Sequence, residues 1–138
     1  MSFALDALRW RWRTIVIVAT LTASAAHIPV IGPHLDEAPY MGVLFIVLTA
    51  ACAVLAAAAI VRDSQAVYAL IVLTCGLAII GYAATRLFAF PMLADDVGNW
   101  LEPLGVVSIV AEIVAVAAAT SALVGSRREA KRGVVSAR

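Results

Sequence analysis

The chain has 138 residues, of which 64% are hydrophobic and only 14% are charged, and its formal net charge is +1. Soluble domains are about 45–50% apolar, and a soluble fold of this length has no interior large enough for so many apolar side chains. The composition therefore predicts an integral membrane protein in contact with the lipid bilayer. Nine of the ten Lys and Arg residues lie near positions expected at helix ends, which is typical of topology signals and argues against a nucleic-acid partner.

Four apolar segments follow one another along the chain, at about 14–30, 40–61, 67–90 and 101–124. Each approaches or exceeds the roughly 20 residues that a helix needs to cross a bilayer core. Backbone polar groups cannot stay unpaired in lipid, so we expect every segment to be helical. The sequence predicts an all-α membrane protein, a single up-down bundle of four transmembrane helices over 1–124. A basic, solvated tail is expected at 125–138.

The first segment contains "TASAA", which resembles the small-residue cleavage site of a signal peptide. Three arginines and two tryptophans precede it, however, and the apolar run continues beyond the small residues. A secretory signal has a shorter apolar region and ends at its cleavage site. We therefore interpret this segment as an uncleaved first helix.

The basic residues also predict the orientation of the bundle. They lie at 9–13, at Arg62 and at 127–138, and Arg86 is the one exception. The loops at 28–39 and 91–100 contain neither Lys nor Arg. By the positive-inside rule the basic regions face the cytoplasm and the two loops face outward. An even number of helices agrees with two cytoplasmic termini, and we expect a multi-pass protein of the inner (plasma) membrane.

Small residues recur at every fourth position on helices 2 and 4. The two sets are Thr49, Ala53 and Ala57, and Ala111, Ala115 and Ala119. This spacing lets helix backbones approach closely in lipid. It favours packing inside the bundle, and a homo-oligomer or a larger membrane complex is the alternative. Cys52 and Cys75 lie within apolar runs, which predicts small core residues rather than a disulfide framework.

Two ionisable side chains are expected deep in the membrane. His27 lies 14 residues beyond Arg13, and Glu112 lies 15 residues before Arg127. At about 1.5 Å per residue, both lie about 20 Å from the basic interface, in the outer leaflet. An ionised carboxylate there costs a few kcal/mol, so Glu112 should be protonated, paired or turned inward. We expect Arg86 to reach Glu112 or Glu102.

The outer ends of all four helices contribute polar groups near this depth. Together they predict an outer-leaflet polar pocket made of His27, His34, Glu37, Arg86, Glu102, Ser108 and Glu112. His27, His34, Glu37 and Glu112 are also suitable ligands for zinc, copper or haem iron. The structural alternative is that His27 is a packed, hydrogen-bonded residue and that Glu37 caps the second helix.

Three other roles stay open from the residue types. A buried His and Glu are typical parts of a proton-coupled transporter, although the predicted cytoplasmic half has no matching acid. The sequence has no Ser-His-Asp arrangement, nucleophile elbow or phosphate-binding loop, so nothing specific indicates an enzyme. Small size, short loops and small-residue faces suit an accessory or binding subunit. We take this non-enzymatic role as the leading hypothesis, with metal or haem binding as its main alternative.

The same residues resemble a group of small, uncharacterised four-helix membrane proteins of actinobacteria. That group has a histidine late in helix 1, then His-x-x-Glu before a Gly-x-x-Phe run. Helix 3 of the group ends with serine and arginine ahead of a proline-bearing loop, and helix 4 carries Asp and then Glu. The similar residues of this chain are His27, His34, Glu37, Gly42, Phe45, Arg86, Pro91 and Glu112.

Two positions depart from the group's pattern. Ser108 stands in place of the acid on helix 4, and Ala84 stands in place of serine on helix 3. If that acid is a metal ligand in the group, the ligand set is one short in this chain. The resemblance implies a shared outer polar cluster, and it implies no activity.

Overall fold

The computed structural model describes the backbone of residues 2–136 and the side chains of residues 9–127. Arg138 lies outside the described residues. The side chains of Arg128, Lys131 and Arg132, on which part of the predicted topology depends, also lie outside them.

Four α-helices make up almost all of the described chain. They are α1 (Ser2–Glu37), α2 (Pro39–Val61), α3 (Gln65–Leu87) and α4 (Pro103–Ser136), and a short 3₁₀ turn spans Ala94–Asp96. Each α-helix contains a stretch that is long and apolar enough to cross a membrane. Residues 2–136 contain no β-strand. The prediction of an all-helical chain with four helices long and apolar enough to span a membrane is confirmed for the described residues.

The first helix does not end near residue 30 as the sequence suggested. Pro29 and Pro33 lie inside α1, which continues to Glu37. Each proline removes one backbone donor. The two prolines are four residues apart, so they lie on the same exposed side of α1 near its end. A long membrane helix tolerates proline where neighbouring groups or water satisfy the freed carbonyls. The fourth helix also exceeds its predicted end, because α4 continues without a break through the predicted tail to Ser136.

Helices α1 and α2 form a hairpin with a single connecting residue. Ala38 is completely buried, and its N–H donates to the carbonyl of His34 at 2.9 Å. Gly42 follows one turn later and faces α1 so closely that a Cβ atom there would lie 2.6 Å from Leu35 Cγ. The same atom would lie 2.7 Å from the Leu35 backbone nitrogen, which cannot move aside as a side chain can. This glycine is required by the close approach.

Gly42→Ala should therefore destabilise the protein by about 1–3 kcal/mol, the usual cost of overpacking. The measurement is the unfolding transition in detergent, followed by circular dichroism. Gly32→Ala is the matched control, because a Cβ at Gly32 meets no atom within 4 Å and alanine is the better helix former. Equal stability of the two variants would contradict the close packing of α1 on α2.

The four helices pack in a ring. Helix α1 packs on α2 and α4, α4 also packs on α3, and the smallest of these contacts joins α2 to α3. A core of mostly small side chains, of which Tyr68 and Ile71 are the largest, fills the half of the bundle nearer Arg13: Val16, Ala19, Cys52, Ala59, Tyr68, Ile71, Cys75, Ala115, Ala118 and Ala119. The α4 stripe of small residues is thus buried within the chain. On α2, by contrast, Ala53 and Ala57 are exposed while Cys52 and Ala56 face the core.

Charged side chains tie together one end of the bundle, here called the basic end (Arg9, Arg13 and the α2–α3 turn 62–64). The Arg13 guanidinium donates to the carbonyl oxygens of Ala59 and Ile60 in the last turn of α2. A cation at this end of a helix also interacts favourably with the helix dipole. Arg9 pairs with Asp63 at 2.6 Å, and the Tyr68 hydroxyl donates to the same carboxylate at 2.7 Å. These contacts fix the start of α1 against the turn.

The environment of Asp63 predicts a dependence of stability on pH. Partial burial raises the pKa of Asp63, but hydrogen bonds from Tyr68 and Arg9 and the charges of Arg9 and Arg13 outweigh it, so the pKa is lowered overall. A carboxylate with a lowered folded-state pKa stabilises the fold above its usual pKa of about 4 and loses that contribution as the pH falls below it.

Asp63→Asn should accordingly remove at most about 1 kcal/mol at pH 7, because the pair with Arg9 is partly exposed. It should also flatten the loss of stability in acid. The free energy of unfolding, measured from pH 7 to pH 3, tests both effects. Asp95→Asn, at an exposed position in the loop at the other end, is the control and should leave the acid slope unchanged.

Candidate functional site

A histidine and a glutamate meet inside the bundle. His27 on α1 is 5% exposed and Glu112 on α4 is 1% exposed. The Nε2 atom of His27 lies 3.4 Å from the Oε1 atom of Glu112. The helix-rise estimate placed these residues at nearly equal depth, and their contact agrees with it.

The orientation of the His27 ring is set by its own helix. Its Nδ1 atom lies 2.6 Å from the carbonyl oxygen of Ala23, one turn earlier. That nitrogen therefore donates its hydrogen, and in the neutral ring Nε2 is left as an acceptor facing Glu112. Either a protonated carboxyl donates to Nε2 or an imidazolium faces a carboxylate. The distance of 3.4 Å between Nε2 and Oε1 is longer than that of a usual hydrogen bond. Glu112 Oε1 has no hydrogen-bond partner among the described residues.

The second histidine lies two turns further along α1. His34 is half-buried, and its Nδ1 atom lies 2.8 Å from the Val30 carbonyl oxygen. Phe45 of α2 contacts both rings, with centroids 5.4 Å from His27 and 4.8 Å from His34. The two histidines share an aromatic neighbour, and their environments differ because only His27 reaches a buried acid.

Glu37 and Glu102 have different positions from those expected in a common pocket. Glu37 is exposed in the last turn of α1. The expectation that it caps α2 is wrong, because Ala38 occupies the cap position and no side chain caps it within the described chain. Glu102 instead caps α4: its carboxylate accepts the Leu104 N–H at 3.1 Å and also the Gly105 N–H. Both acids thus lie at helix ends, outside the His27–Glu112 pair.

Arg86 does not reach Glu112 or Glu102, so that expectation is also wrong. It is 7% exposed, and its Nη1 atom lies 2.9 Å from the Asp96 carboxylate. Its guanidinium also lies 4.7 Å from the centre of the Tyr82 ring. The reason is the α3–α4 loop, which folds back onto the end of α3: the Gly98 N–H donates to the Arg86 carbonyl at 2.9 Å. Asp96 is consequently the nearer acid.

Ser108 is buried, but its hydroxyl donates to the Gly105 carbonyl of its own helix at 3.0 Å. The hydrogen-bonding capacity of this hydroxyl as a donor is therefore used within α4, and it makes no contact with the histidine–glutamate pair. The seven residues of the sequence-predicted pocket accordingly separate into a buried pair, a paired arginine, a helix cap, a serine bonded to its own helix and two groups nearer the surface.

Cys52 and Cys75, which the sequence predicted to be small core residues, lie in the apolar core of the bundle. Both are completely buried, and both are free thiols.

The donor geometry limits what cofactors the site can hold. Within the described part of the chain, no group of three or more His, Cys, Asp or Glu side chains converges on a position for one metal ion. The four metal candidates His27, His34, Glu37 and Glu112 thus do not form one site. In His27, Nδ1 is engaged with the Ala23 carbonyl oxygen, and Nε2 faces the Glu112 carboxyl group at 3.4 Å.

No protein-family model, curated protein or solved structure matches this chain.

Proposed function

We propose that this chain is a non-enzymatic accessory or binding protein of the plasma membrane, with both termini in the cytoplasm. Its four long apolar helices support a lipid environment. Arg9, Arg13 and Arg62 all lie at one end of the bundle, which by the positive-inside rule supports a cytoplasmic position for that end.

The His27–Glu112 pair is the proposed place of binding. The observation that carries this proposal is the fully buried Oε1 atom of Glu112, which lacks a hydrogen-bond partner in the described chain. An unsatisfied buried acceptor costs about 1–3 kcal/mol, so a donor group from a small ligand or a partner helix would gain that amount by binding there. Ionisable groups inside a membrane segment commonly mark such functional positions.

Proton-coupled transport is the second candidate, and the pair itself favours it. His27 and Glu112 are placed to share one exchangeable proton inside the membrane. Between the pair and the basic end, however, lies the apolar core around Val16 and Ala115. A binding role explains this apolar core between the pair and the basic end more simply than transport does.

Mass spectrometry of the native assembly, released from detergent, tests the binding role. The wild-type protein should carry a bound small molecule or a partner subunit, and His27→Ala and Glu112→Gln should each lose it. Thr22→Ala is the control on α1, because Thr22 is exposed and its hydroxyl bonds to its own helix at Val18. The same spectra report whether two copies of the chain associate.

Retention of the same bound species by both variants would exclude the pair as the binding place. Transport would be favoured instead if the wild-type protein carries no bound species but drives the accumulation of protons or a solute against a gradient, and if Glu112→Gln abolishes that accumulation.

A further inference from the structure

A groove runs along the exposed side of the seam between α1 and α4. Its volume is about 540 Å³, and Ala19 and Ala111 form its floor, since both line it and both are buried. The other eight lining residues are all valine, isoleucine or threonine. Such β-branched side chains are stiff about χ1, so these walls do not turn aside to cover the small floor. The groove is therefore a fixed feature of the bundle surface.

The groove offers an apolar surface to whatever occupies it. The hydroxyls of Thr14 and Thr22 donate to carbonyl oxygens of their own helix, at Trp10 and Val18. These two threonines thus leave no free donor for a polar ligand. The chemistry of the walls selects a hydrocarbon, which is either an acyl chain or the apolar face of another helix.

One cation lies where the groove approaches the basic end. Ile15 and Val18 of the groove wall follow Arg11 by four and seven residues, which places all three on one face of α1. Arg9 and Arg13 lie on the opposite face, where they bind the α2–α3 turn and the last turn of α2. Arg11 is exposed, and no hydrogen bond or ion pair joins its guanidinium to the described residues. Its charge is available to a ligand at the membrane surface.

We infer that one anionic phospholipid binds here, with an acyl chain in the α1–α4 groove and its phosphate at Arg11. Guanidinium and phosphate form paired, charge-assisted hydrogen bonds, and basic residues at a membrane interface attract anionic headgroups. The neighbouring Trp10 is 65% exposed, and tryptophan is enriched at the headgroup level of membrane proteins. Arg11 and the groove thus match the two parts of one lipid molecule.

The position of Arg11 argues against a second copy of this chain in the groove. A two-fold dimer joins the same patch of both copies, and two copies inserted in the same direction place that patch at the same depth. Their Arg11 side chains would then meet across the interface, where like charges are unfavourable. A lipid phosphate brings the opposite charge to this place, so charge complementarity favours the lipid.

This inference goes beyond the proposed function, because the groove lies on the surface of the bundle and the His27–Glu112 pair lies inside it. The two are separable by mutation. A lipid held at Arg11 stays bound in His27→Ala and in Glu112→Gln, whereas a ligand of the pair is lost in both variants.

The test is native mass spectrometry of the full-length protein in detergent, titrated with phosphatidylglycerol or with phosphatidylcholine of the same acyl chains. The wild-type protein should bind one phosphatidylglycerol more tightly than phosphatidylcholine. Arg11→Gln should weaken phosphatidylglycerol binding about fivefold, the effect of one basic residue at a membrane surface. Arg62→Gln is the matched control, because Arg62 is exposed at the same end but lies in the turn between α2 and α3.

Two further measurements locate the acyl chain. Phosphatidylglycerol with a photoreactive group in its acyl chain should label residues 14–22 and 106–114 in preference to α2 and α3. Val110→Trp fills the groove at a position that is 54% exposed, so it should lower both this labelling and the affinity for the lipid. Val54→Trp, at a 67% exposed position on α2, should change neither. Circular dichroism of each variant checks that the helices are retained.

Three results would overturn the assignment. Equal losses in Arg11→Gln and Arg62→Gln would reduce the effect to the general charge of the basic end. Labelling spread evenly over the four helices, or equal affinity for the two lipids, would remove the specific site. Wild-type dimers that Val110→Trp abolishes would assign the groove to a second copy of the chain instead.

Discussion

Replacing His27 with phenylalanine should destabilise the protein by about 3 kcal/mol, the cost of removing one partner of a buried pair. The substitution leaves Glu112, which is 1% exposed, with no polar group opposite it. The carboxyl then has to stay protonated or move toward water through a packed bundle. The free energy of unfolding in detergent, measured at constant pH, gives the size of the effect.

The double variant His27→Phe/Glu112→Leu should recover most of that loss. It removes both polar groups and fills their space with apolar side chains, which is often neutral or stabilising for a buried pair. The difference between the double variant and the sum of the two single variants measures their coupling. Additive single effects would mean that the 3.4 Å contact between Nε2 and Oε1 contributes nothing to stability.

Arg86→Ala is expected to have the second-largest effect, about 2 kcal/mol of lost stability. The substitution removes a buried guanidinium that pairs with Asp96 at 2.9 Å and covers the Tyr82 ring. Breaking a buried pair costs about 3–5 kcal/mol, but Asp96 retains 25% of its side-chain exposure. Water can therefore stabilise the orphaned carboxylate in part.

The same substitution should loosen the α3–α4 loop selectively. Amide hydrogen exchange should become faster across 88–102, while the amides of α1 and α2 stay protected. Arg86→Lys should restore only part of the protection, because lysine keeps the charge and loses the planar stacking on Tyr82. Uniformly faster exchange throughout the bundle would show that Arg86 supports the whole fold rather than this loop.

The helical architecture and the approximate spans follow from local features of the chain. Runs of apolar residues long enough to cross a bilayer have no other stable conformation in lipid, so the four helices could be predicted without any tertiary information. The predicted ends of the helices were less accurate than the spans themselves. A proline is read as a helix terminator in water, yet Pro29 and Pro33 lie within α1.

The depth of a residue along a helix was also predictable, because helix rise is constant. That is why His27 and Glu112, 85 positions apart in the chain, were placed at a similar level.

Which side chains at a given depth touch each other is a different question, and only the packing of the helices decided it. Rotation of each helix about its axis turns Cys52 inward and Ala53 outward, although the two are adjacent in the chain. The fold of the α3–α4 loop brings Asp96 to Arg86 and so excludes Glu112 as its partner. Local patterns determine how far a polar group lies within the membrane, whereas its partner depends on helix rotation and loop path, which arise from contacts distant in the chain.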